Sequence, residues 1–384
     1  MAGPSIAVLA DDLTGAAEIA AIGKRHGLPS RIFASTAQSR PFSAGLSVHD
    51  TDSRLLTAAK AAERVTATAA SLGDADTAFI FKKTDSVLRG NVVAEIVAFA
   101  RATGKRRILL VPANPSLGRT ISKGQYFVQE VPIAETNFAR DPHHPAKSSS
   151  IVELLGPSPD WPVSVLASGA PLPEQGIIVG ETTTSADVAH WAAHLDRDTL
   201  AAGGADFFQA CLKQFGLAPK PTSIPKSPGL VLIVTGSLTP ARETLLAHAS
   251  SVGWPVHTIA GDFAALRRTF EMSSIILVQS PKTAVNDQAL GARLRADFGE
   301  LVRRLRSQVS LGQVVVEGGA TAAAISEANG WTSFDVAGEW APGVIALHPT
   351  AAPEILFTIK PGSYTWPENL WRQLDSCRVS FSKS

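Results

Sequence analysis

Cysteine is scarce in this chain: Cys211 and Cys377 are the only two in 384 residues. They stand in stretches that read as different domains, which excludes a disulfide framework and leaves too few thiols for a zinc site. Both are expected to be reduced, buried thiols. An excess of one charge is also lacking, since 35 Lys and Arg face 34 Asp and Glu and only 18% of the residues are charged. Without a block of like charges, nucleic acid is not an expected partner. No uncharged apolar run reaches the ~18 residues of a membrane span, so a membrane is not expected either. The start, Met1-Ala2-Gly3-Pro4-Ser5, has no basic segment, and the apolar stretch after it soon meets Asp11. A secretory signal is therefore not expected, and a cytoplasmic protein is. Neither G-x-x-x-x-G-K-S/T nor G-x-G-x-x-G occurs, which sets aside the P-loop and the dinucleotide fingerprint.

Apolar bulk is what the chain does have, at 45% hydrophobic residues. Single cores stop growing near ~250–300 residues, so two domains are expected. Strand-length apolar runs alternate with Ala-rich helical segments, the pattern of an α/β fold whose mainly parallel sheets are flanked by helices. Between Leu217 and Gly229, four prolines (Pro219, Pro221, Pro225 and Pro228) interrupt a segment with no hydrophobic period. This reads as a linker at 218–229 between domains at 1–217 and 230–384.

The most informative stretch is Ile6-Ala7-Val8-Leu9-Ala10-Asp11-Asp12-Leu13-Thr14-Gly15-Ala16-Ala17. A short apolar run stops at two carboxylates and an Ala-rich helix follows, so Asp11 and Asp12 would face the crevice beyond a strand's carboxyl end, near a helix N-terminus. Helix capping by one Asp is the plainer reading of the same pair. A second stretch, Phe79-Ile80-Phe81-Lys82-Lys83-Thr84-Asp85-Ser86-Val87-Leu88-Arg89-Gly90-Asn91, repeats the plan before a helix at 92–102. If neighbouring strands carry the two loops, the carboxylates face Lys83 and Arg89 across one cleft, an arrangement suited to a small polyhydroxylated anion. Strands are also expected at 30–34 and 46–49, the latter ending in Asp50-Thr51-Asp52-Ser53-Arg54. Arg54 is a candidate clamp for an anionic substrate, because guanidinium binds carboxylate in bidentate fashion.

Further along, 57–72 reads as a helix and 108–111 as a buried strand. Residues 112–120 are too polar for core and read as a loop over the crevice, 125–128 and 131–133 as a hairpin, and 136–150 as an irregular excursion. His143 and His144 sit in that excursion with no Cys or acidic residue three or four positions on, so no metal site is expected there. A strand at 177–179, a helix at 187–200, a turn at 202–205 and a helix at 206–215 complete the first domain. In the second, strands are expected at 230–234, 275–278 and 313–316. Thr239 and Pro240 would cap and open a helix, and the Arg-rich helix 290–306 reads as a solvated face. Glu317-Gly318-Gly319-Ala320-Thr321-Ala322 ends a buried strand at two glycines, with Thr321 opening a helix, so backbone N–H groups and a helix dipole can converge on a phosphate. A tight turn is the alternative.

The first two loops resemble the four-carbon acid sugar kinases, which phosphorylate compounds such as threonate and erythronate with ATP. The matching pieces are Ala10-Asp11-Asp12-Leu13-Thr14-Gly15-Ala16 and Lys83-Thr84-Asp85-Ser86-Val87-Leu88-Arg89-Gly90-Asn91. Val111-Pro112-Ala113-Asn114-Pro115, Gly118-Arg119-Thr120, Gly124-Gln125-Tyr126-Phe127-Val128 and Asp141-Pro142 are similar too, and the likeness runs to Lys360-Pro361-Gly362. The resemblance implies a sugar-acid domain, a nucleotide domain and an active site in the interdomain cleft. It implies Asp12, with Asp85 as rival, as the group that orients or deprotonates the hydroxyl, and Arg89 as a catalytic cation. Asp11, Asp12, Arg54, Lys83, Thr84, Asp85, Ser86 and Arg89 are then the substrate residues. Ser237, Gly318, Gly319, Ala320, Thr321 and Gly362 line the nucleotide. ATP and Mg2+ are the implied cofactors, a small-molecule sugar acid and ATP the partners, and a homodimer is left open. The family's phosphate motif reads Gly-Gly-Asp-Thr-Ala, and Ala320 replaces its Asp. A sugar-acid-binding homologue impaired in transfer, or a sugar-acid isomerase or aldolase without nucleotide, therefore remain as alternatives.

Overall fold

The structure is a computed structural model describing residues 4–34, 44–72, 77–141, 143–225, 229–236, 240–259, 263–281, 288–362 and 364–377. The chain divides into two compact units, Met1–Lys220 and Pro221–Ser384. Among the described residues, no helix is long and apolar enough to cross a membrane.

Unit 1 is built on strands β1 (Ser5–Ala10), β2 (Ser30–Phe33), β3 (Gly45–Asp50), β4 (Phe79–Lys83) and β5 (Arg107–Val111). The strands β6 (Arg119–Ser122), β7 (Gln125–Val128) and β8 (Val131–Pro132) follow, then β9 (Val163–Leu166), β10 (Gly176–Gly180) and β11 (Thr199–Gly203). Its helices are α1 (Leu13–Arg25), α2 (Ala58–Ser71), α3 (Val92–Ala102), α4 (Ile151–Leu155), α5 (Ser185–Ala192) and α6 (Ala205–Gln214). The main sheet runs β2-β3-β1-β4-β11-β5-β10-β9, and every pairing in it is parallel. Ala7 and Leu9 of β1 pack with Val65 of α2 and Ile96 and Phe99 of α3. On the opposite face, Phe81 of β4 lies edge-on to Phe208 and tilted against Phe207 of α6. Both faces are covered, which is why these strands read as unbroken apolar runs.

β1 lies between β3 and β4, so the chain leaves β1 toward one side of the sheet and then crosses to the other. Such a switch of direction opens a crevice beyond the carboxyl ends of the strands. The loops after β1, β3 and β4 emerge there, and they carry Asp11 and Asp12, Asp50 to Arg54, and Thr84 to Arg89.

Several expectations are corrected. The helix expected at 187–200 ends at Ala192, and residues 199–203, partly assigned to a turn, form β11. Their Ala-rich sequence favours a helix, but burial between β4 and β5 overrides that preference. Gly203 is required there: it has φ +154°, and a Cβ would lie 2.1 Å from the Val111 carbonyl oxygen. The segment 112–120, expected to be a loop over the crevice and too polar for core, is partly buried: Ala113 and Asn114 are enclosed, and Asn114 Oδ1 accepts a hydrogen bond from the Asp206 backbone at 3.1 Å. The expected hairpin of β7 and β8 gains a third antiparallel strand, β6. Cys211 is buried, whereas Cys377 is only half-buried.

Unit 2 contains β12 (Leu230–Thr235), β13 (Val256–Thr258), β14 (Ile275–Gln279), β15 (Leu311–Glu317), β16 (Ser333–Ala341), β17 (Val344–Pro349) and β18 (Leu356–Lys360). Its helices are α7 (Pro240–Val252), α8 (Phe263–Phe270), α9 (Gln288–Arg306), α10 (Gly319–Ala328) and α11 (Glu368–Ser376). The strand order is β13-β14-β12-β15-β18-β17-β16, parallel except where β17 pairs with β18 and β16. Val231, Ile233, Leu277 and Val315 form its core with Trp254, Trp366, Leu370 and Leu374. α10 begins at Gly319, two residues before the Thr321 expected to open it. The expected cap Thr239 lies outside the described residues.

Candidate functional site

Asp12 is the N-cap of α1. Its Oδ1 accepts the Gly15 N–H at 2.7 Å, while its Oδ2 accepts the Thr14 hydroxyl at 2.6 Å. The capping reading of this residue therefore holds, and the same carboxylate also takes part in a larger cluster. Arg54 donates from Nε to Asp11 Oδ2 at 2.7 Å and from Nη2 to Asp11 Oδ1 at 3.0 Å. Its Nη1 reaches Asp12 Oδ2 at 2.6 Å, and Nη2 lies 3.7 Å from Asp85 Oδ2. One guanidinium thus ties together carboxylates from the loops after β1 and β4. Gly90, at φ +92°, leaves room for it, because a Cβ there would stand 3.3 Å from Arg54 Cγ.

Asp85 is held from the other side by Arg89, whose Nη2 donates at 2.7 Å, while Asp85 Oδ1 accepts the Val87 N–H at 3.0 Å. Arg89 Nη1 also reaches Asp141 Oδ2 at 3.4 Å. Asp141 in turn accepts the His144 N–H at 2.9 Å, and His144 Nε2 lies 3.1 Å from the Arg54 carbonyl oxygen. The irregular segment 136–150 is thereby fastened to the cluster, and His143 and His144 belong to its edge. Among the described residues, no group of three or more His, Cys, Asp or Glu side chains could hold a metal ion.

Two lysines lie beneath. Lys83 Nζ pairs with Glu18 of α1 at 3.1 Å, and Lys82 Nζ with Glu95 of α3 at 2.7 Å. Glu95 also accepts the Ser53 hydroxyl at 2.9 Å, which anchors the loop that presents Arg54. Glu18, Glu95 and Asp141 were not singled out as site residues. Glu18 on α1 and Glu95 on α3 lie 65 and 13 residues from their lysines on β4, so no local spacing signals either pair. Thr84 is buried beside Lys83, and its Oγ1 has no hydrogen-bond partner among the described residues. Ser86 receives a hydrogen bond from Arg119, and its carbonyl accepts one from the Tyr126 hydroxyl.

The electrostatics distinguish the carboxylates. Burial alone would raise the pKa of Asp85, but Arg54, Arg89 and Lys83 override it and hold this carboxyl well below the usual range. Burial likewise opposes ionisation of Asp11, and Arg54 again reverses the direction. Asp50 goes the other way: burial, with Asp12, Asp52 and Asp11 nearby, pushes it well above the usual carboxylate range, against one backbone hydrogen bond from Asp52. The Asp12 side chain is 24% exposed, against 6% for Asp11 and 8% for Asp85. It is the carboxylate of the three that reaches the opening.

In unit 2, Gly318 caps α10 at φ 111°, and its N–H donates to the Lys360 carbonyl at 2.8 Å. The first N–H groups of a helix have no intrahelical acceptor, so those of Gly319, Ala320 and Thr321 are available at its positive end. They border a cavity of about 330 Å3, lined also by Gly236, Ser280, Gly291 and Arg295. Backbone N–H donors at a helix start are the donor set that a phosphate takes. Gly362 is half-buried two residues beyond β18, and Ser237 lies outside the described residues. Glu317, at the end of β15, points away from this role because it is fully buried against Lys360 at 2.9 Å. Ala320 is exposed at the cavity, and its side chain carries no polar group.

A family model described as a sugar-binding N-terminal domain matches residues 6–210, more than half of the chain and the region that contains the unit 1 cluster. A D-threonate kinase of Salmonella typhimurium is 26% identical over 381 residues, covering 87% of this chain and 89% of its own. A 3-oxo-tetronate kinase of Pseudomonas fluorescens is 26% identical over 407 residues, with 94% of each chain covered. A solved structure described as a putative tRNA synthase from Salmonella typhimurium LT2 has a TM-score of 0.78 and 20% identity over 96% of this chain and 98% of its own, a likeness of fold alone. By its sugar-binding N-terminal domain, this chain belongs to the four-carbon acid sugar kinase family.

Proposed function

We propose that this protein transfers the γ-phosphoryl group of ATP to a hydroxyl of a four-carbon sugar acid of the threonate, erythronate or 3-oxo-tetronate class. The observation that carries this reading is the cluster of Asp11, Asp12, Arg54, Asp85 and Arg89 at three adjacent strand ends, within the region matched by the sugar-binding domain. Carboxylates there accept hydrogen bonds from hydroxyls, and guanidinium and ammonium groups balance an acid.

Asp12 is the base in this scheme. The substrate O–H gives its proton to Asp12, the oxygen bonds to the γ-phosphorus, and the bond from that phosphorus to the β-γ bridging oxygen breaks as ADP leaves. Asp85 is the poorer candidate, because two guanidinium groups hold it ionised and stabilise its charge. Arg54 fixes Asp11 and Asp12, Lys83 adds positive charge beneath them, and Thr84 and Ser86 offer hydroxyls to the sugar. The N–H groups of Gly319, Ala320 and Thr321 take the phosphates of ATP, with Gly362 on a neighbouring loop.

Mg2+ ordinarily accompanies ATP in such transfers and neutralises phosphate charge. Around the cradle, the described residues fit phosphate better than metal: Glu317 is engaged by Lys360, and position 320 has no carboxylate. Phosphate oxygens and water would be its ligands, and it would supply charge neutralisation there. A panel of four-carbon acids assayed for ADP release, with calorimetric titration of acid and ATP separately, tests the reading. Binding of both with turnover is the expected result. Binding of the acid without ATP would favour the non-transferring homologue that Ala320 suggests.

A further inference from the structure

The cations around the unit 1 cluster are nearly all occupied. Arg54 is held by Asp11 and Asp12, Lys82 by Glu95, Lys83 by Glu18, and Arg89 by Asp85 and Asp141. An incoming carboxylate must displace one of these partners or find a cation without one. Among the described residues, Arg119 is such a cation: it neighbours the cluster and forms no ion pair with a carboxylate.

Its placement is fixed by the fold. Arg119 opens β6, just after Gly118 turns the chain at φ 66°, and pairs across the ladder with Val128 of β7. One Nη1 donates to the Ser86 hydroxyl, and Ser86 is itself buried next to Asp85. The guanidinium stands 5.9 Å from the centre of the Phe138 ring, and the Arg89 guanidinium stands at the same distance from that ring. The side chain is half-buried. Ser86 and Phe138 therefore orient the guanidinium, while most of its five N–H donors stay uncommitted. A guanidinium that is oriented, partly desolvated and without a counter-ion gains more from a carboxylate than one already bridged between two.

We infer that Arg119, set by Ser86 and Phe138 beside Arg89, binds the carboxylate of the acid substrate and selects acids over uncharged sugars of the same length. This rests on the sugar-acid reading above. It gives Arg54 a different task, that of holding Asp11 and Asp12 in place. The acid end of the substrate then lies toward β6, and its hydroxyls toward Asp12.

The test compares Arg119→Gln and Arg119→Lys with the parent, measuring calorimetric affinity and KM for the best four-carbon acid, affinity for ATP, and the urea unfolding midpoint. Arg119→Gln should weaken acid binding by about ten- to a hundredfold, as expected for loss of a charge-assisted contact. ATP affinity and the midpoint should stay at the parent's values, and Arg119→Lys should recover part of the loss. Unchanged acid binding in Arg119→Gln overturns the inference. A loss accompanied by a lowered midpoint or weaker ATP binding also overturns it, because Arg119 would then only support the fold. If the parent neither binds nor phosphorylates any four-carbon acid, the sugar-acid reading itself fails, an outcome distinct from a parent that works and a variant that works equally well.

Discussion

Lys360 Nζ lies 2.9 Å from Glu317 Oε1, and neither side chain has any solvent exposure. The other carboxylate oxygen, Oε2, accepts the Thr235 hydroxyl at 2.7 Å. Thr235, Glu317 and Lys360 end β12, β15 and β18, and they stand opposite one another in register. A single buried polar layer thus joins the three strands from which the loops at Gly236, Gly318 and Gly362 depart. Burial pulls the Lys360 pKa down, and Glu317 opposes that pull. Glu317→Gln leaves the ammonium without its counter-charge, so the variant should lose about 3 kcal/mol or more of stability and bind ATP more weakly. Urea unfolding and ATP titration read the two effects. A parent-like midpoint would show that the pair does not hold these loops.

Asp12→Asn is the test of the base. Asn can keep the N-cap hydrogen bond of α1 and the shape of the site, yet it cannot take a proton. Turnover should fall by roughly 10²- to 10⁴-fold while acid and ATP still bind. Turnover within about threefold of the parent would move the role to Asp85 or to no side chain.

Arg54 and Arg89 should respond differently to truncation. Arg54→Ala leaves Asp11 and Asp12 without their shared cation, and the Arg54 side chain is 17% exposed against 32% for Arg89. Removing one partner of a buried pair costs about 3–5 kcal/mol, so Arg54→Ala should destabilise unit 1 strongly. Arg89→Ala should cost about 1–2 kcal/mol less and act mainly on acid affinity. Equal unfolding midpoints for the two variants would contradict this ranking.

Much of the arrangement in unit 1 can be read from sequence because apolar runs end abruptly at charge. Val8-Leu9-Ala10 stops at Asp11, where β1 ends. Phe79-Ile80-Phe81, by contrast, stops at Lys82 two residues short of the end of β4, because Lys82 and Lys83 are buried within the strand by their carboxylate partners. Residues 199–203 gave no such signal, because an Ala-rich strand and an Ala-rich helix look alike until burial decides between them. Glu18 and Glu95 were hidden for a related reason. Each sits inside a helical segment, where local spacing shows a polar residue but not the lysine across the packing interface that turns it inward. Asp141 and Arg119 lie in irregular or hairpin segments, whose path is set by contacts far along the chain.

His49 on β3 offers a pH test. It is buried and stacked on Phe33 at 5.1 Å, and burial lowers its pKa from 6.5 to about 4. The folded state therefore binds fewer protons than the unfolded chain between those values. The stability cost is absent above pH 6.5 and grows as pH falls toward 4. Asp50 beside it is raised by burial and pushes in the opposite sense, so the comparison needs a variant. His49→Phe keeps an aromatic ring against Phe33 and removes the titration. Relative to this variant, the parent should lose about 2 kcal/mol between pH 7.5 and pH 5 in urea unfolding. A constant difference across that range would mean that His49 titrates alike in both states.

Ala320 concerns the other half of the reaction. It is exposed at the second position of α10, on the cavity where the free N–H groups of the helix start converge. An Asp at this position would place a negative charge near the helix's positive end, which favours folding slightly, but would also face the phosphates directly. Metal-free ATP should therefore bind Ala320→Asp more weakly than the parent through like-charge repulsion. With Mg2+ present, the carboxylate gains a cation to approach, and kcat/KM for ATP should rise about tenfold, the equivalent of roughly 1.4 kcal/mol. The opposite signs separate this effect from a change in folding, which would move both measurements together. Titrating ATP with and without Mg2+, alongside steady-state kinetics, makes the comparison. Identical ATP behaviour in parent and variant under both conditions would mean that the Gly318-Gly319 loop does not hold the nucleotide's phosphates.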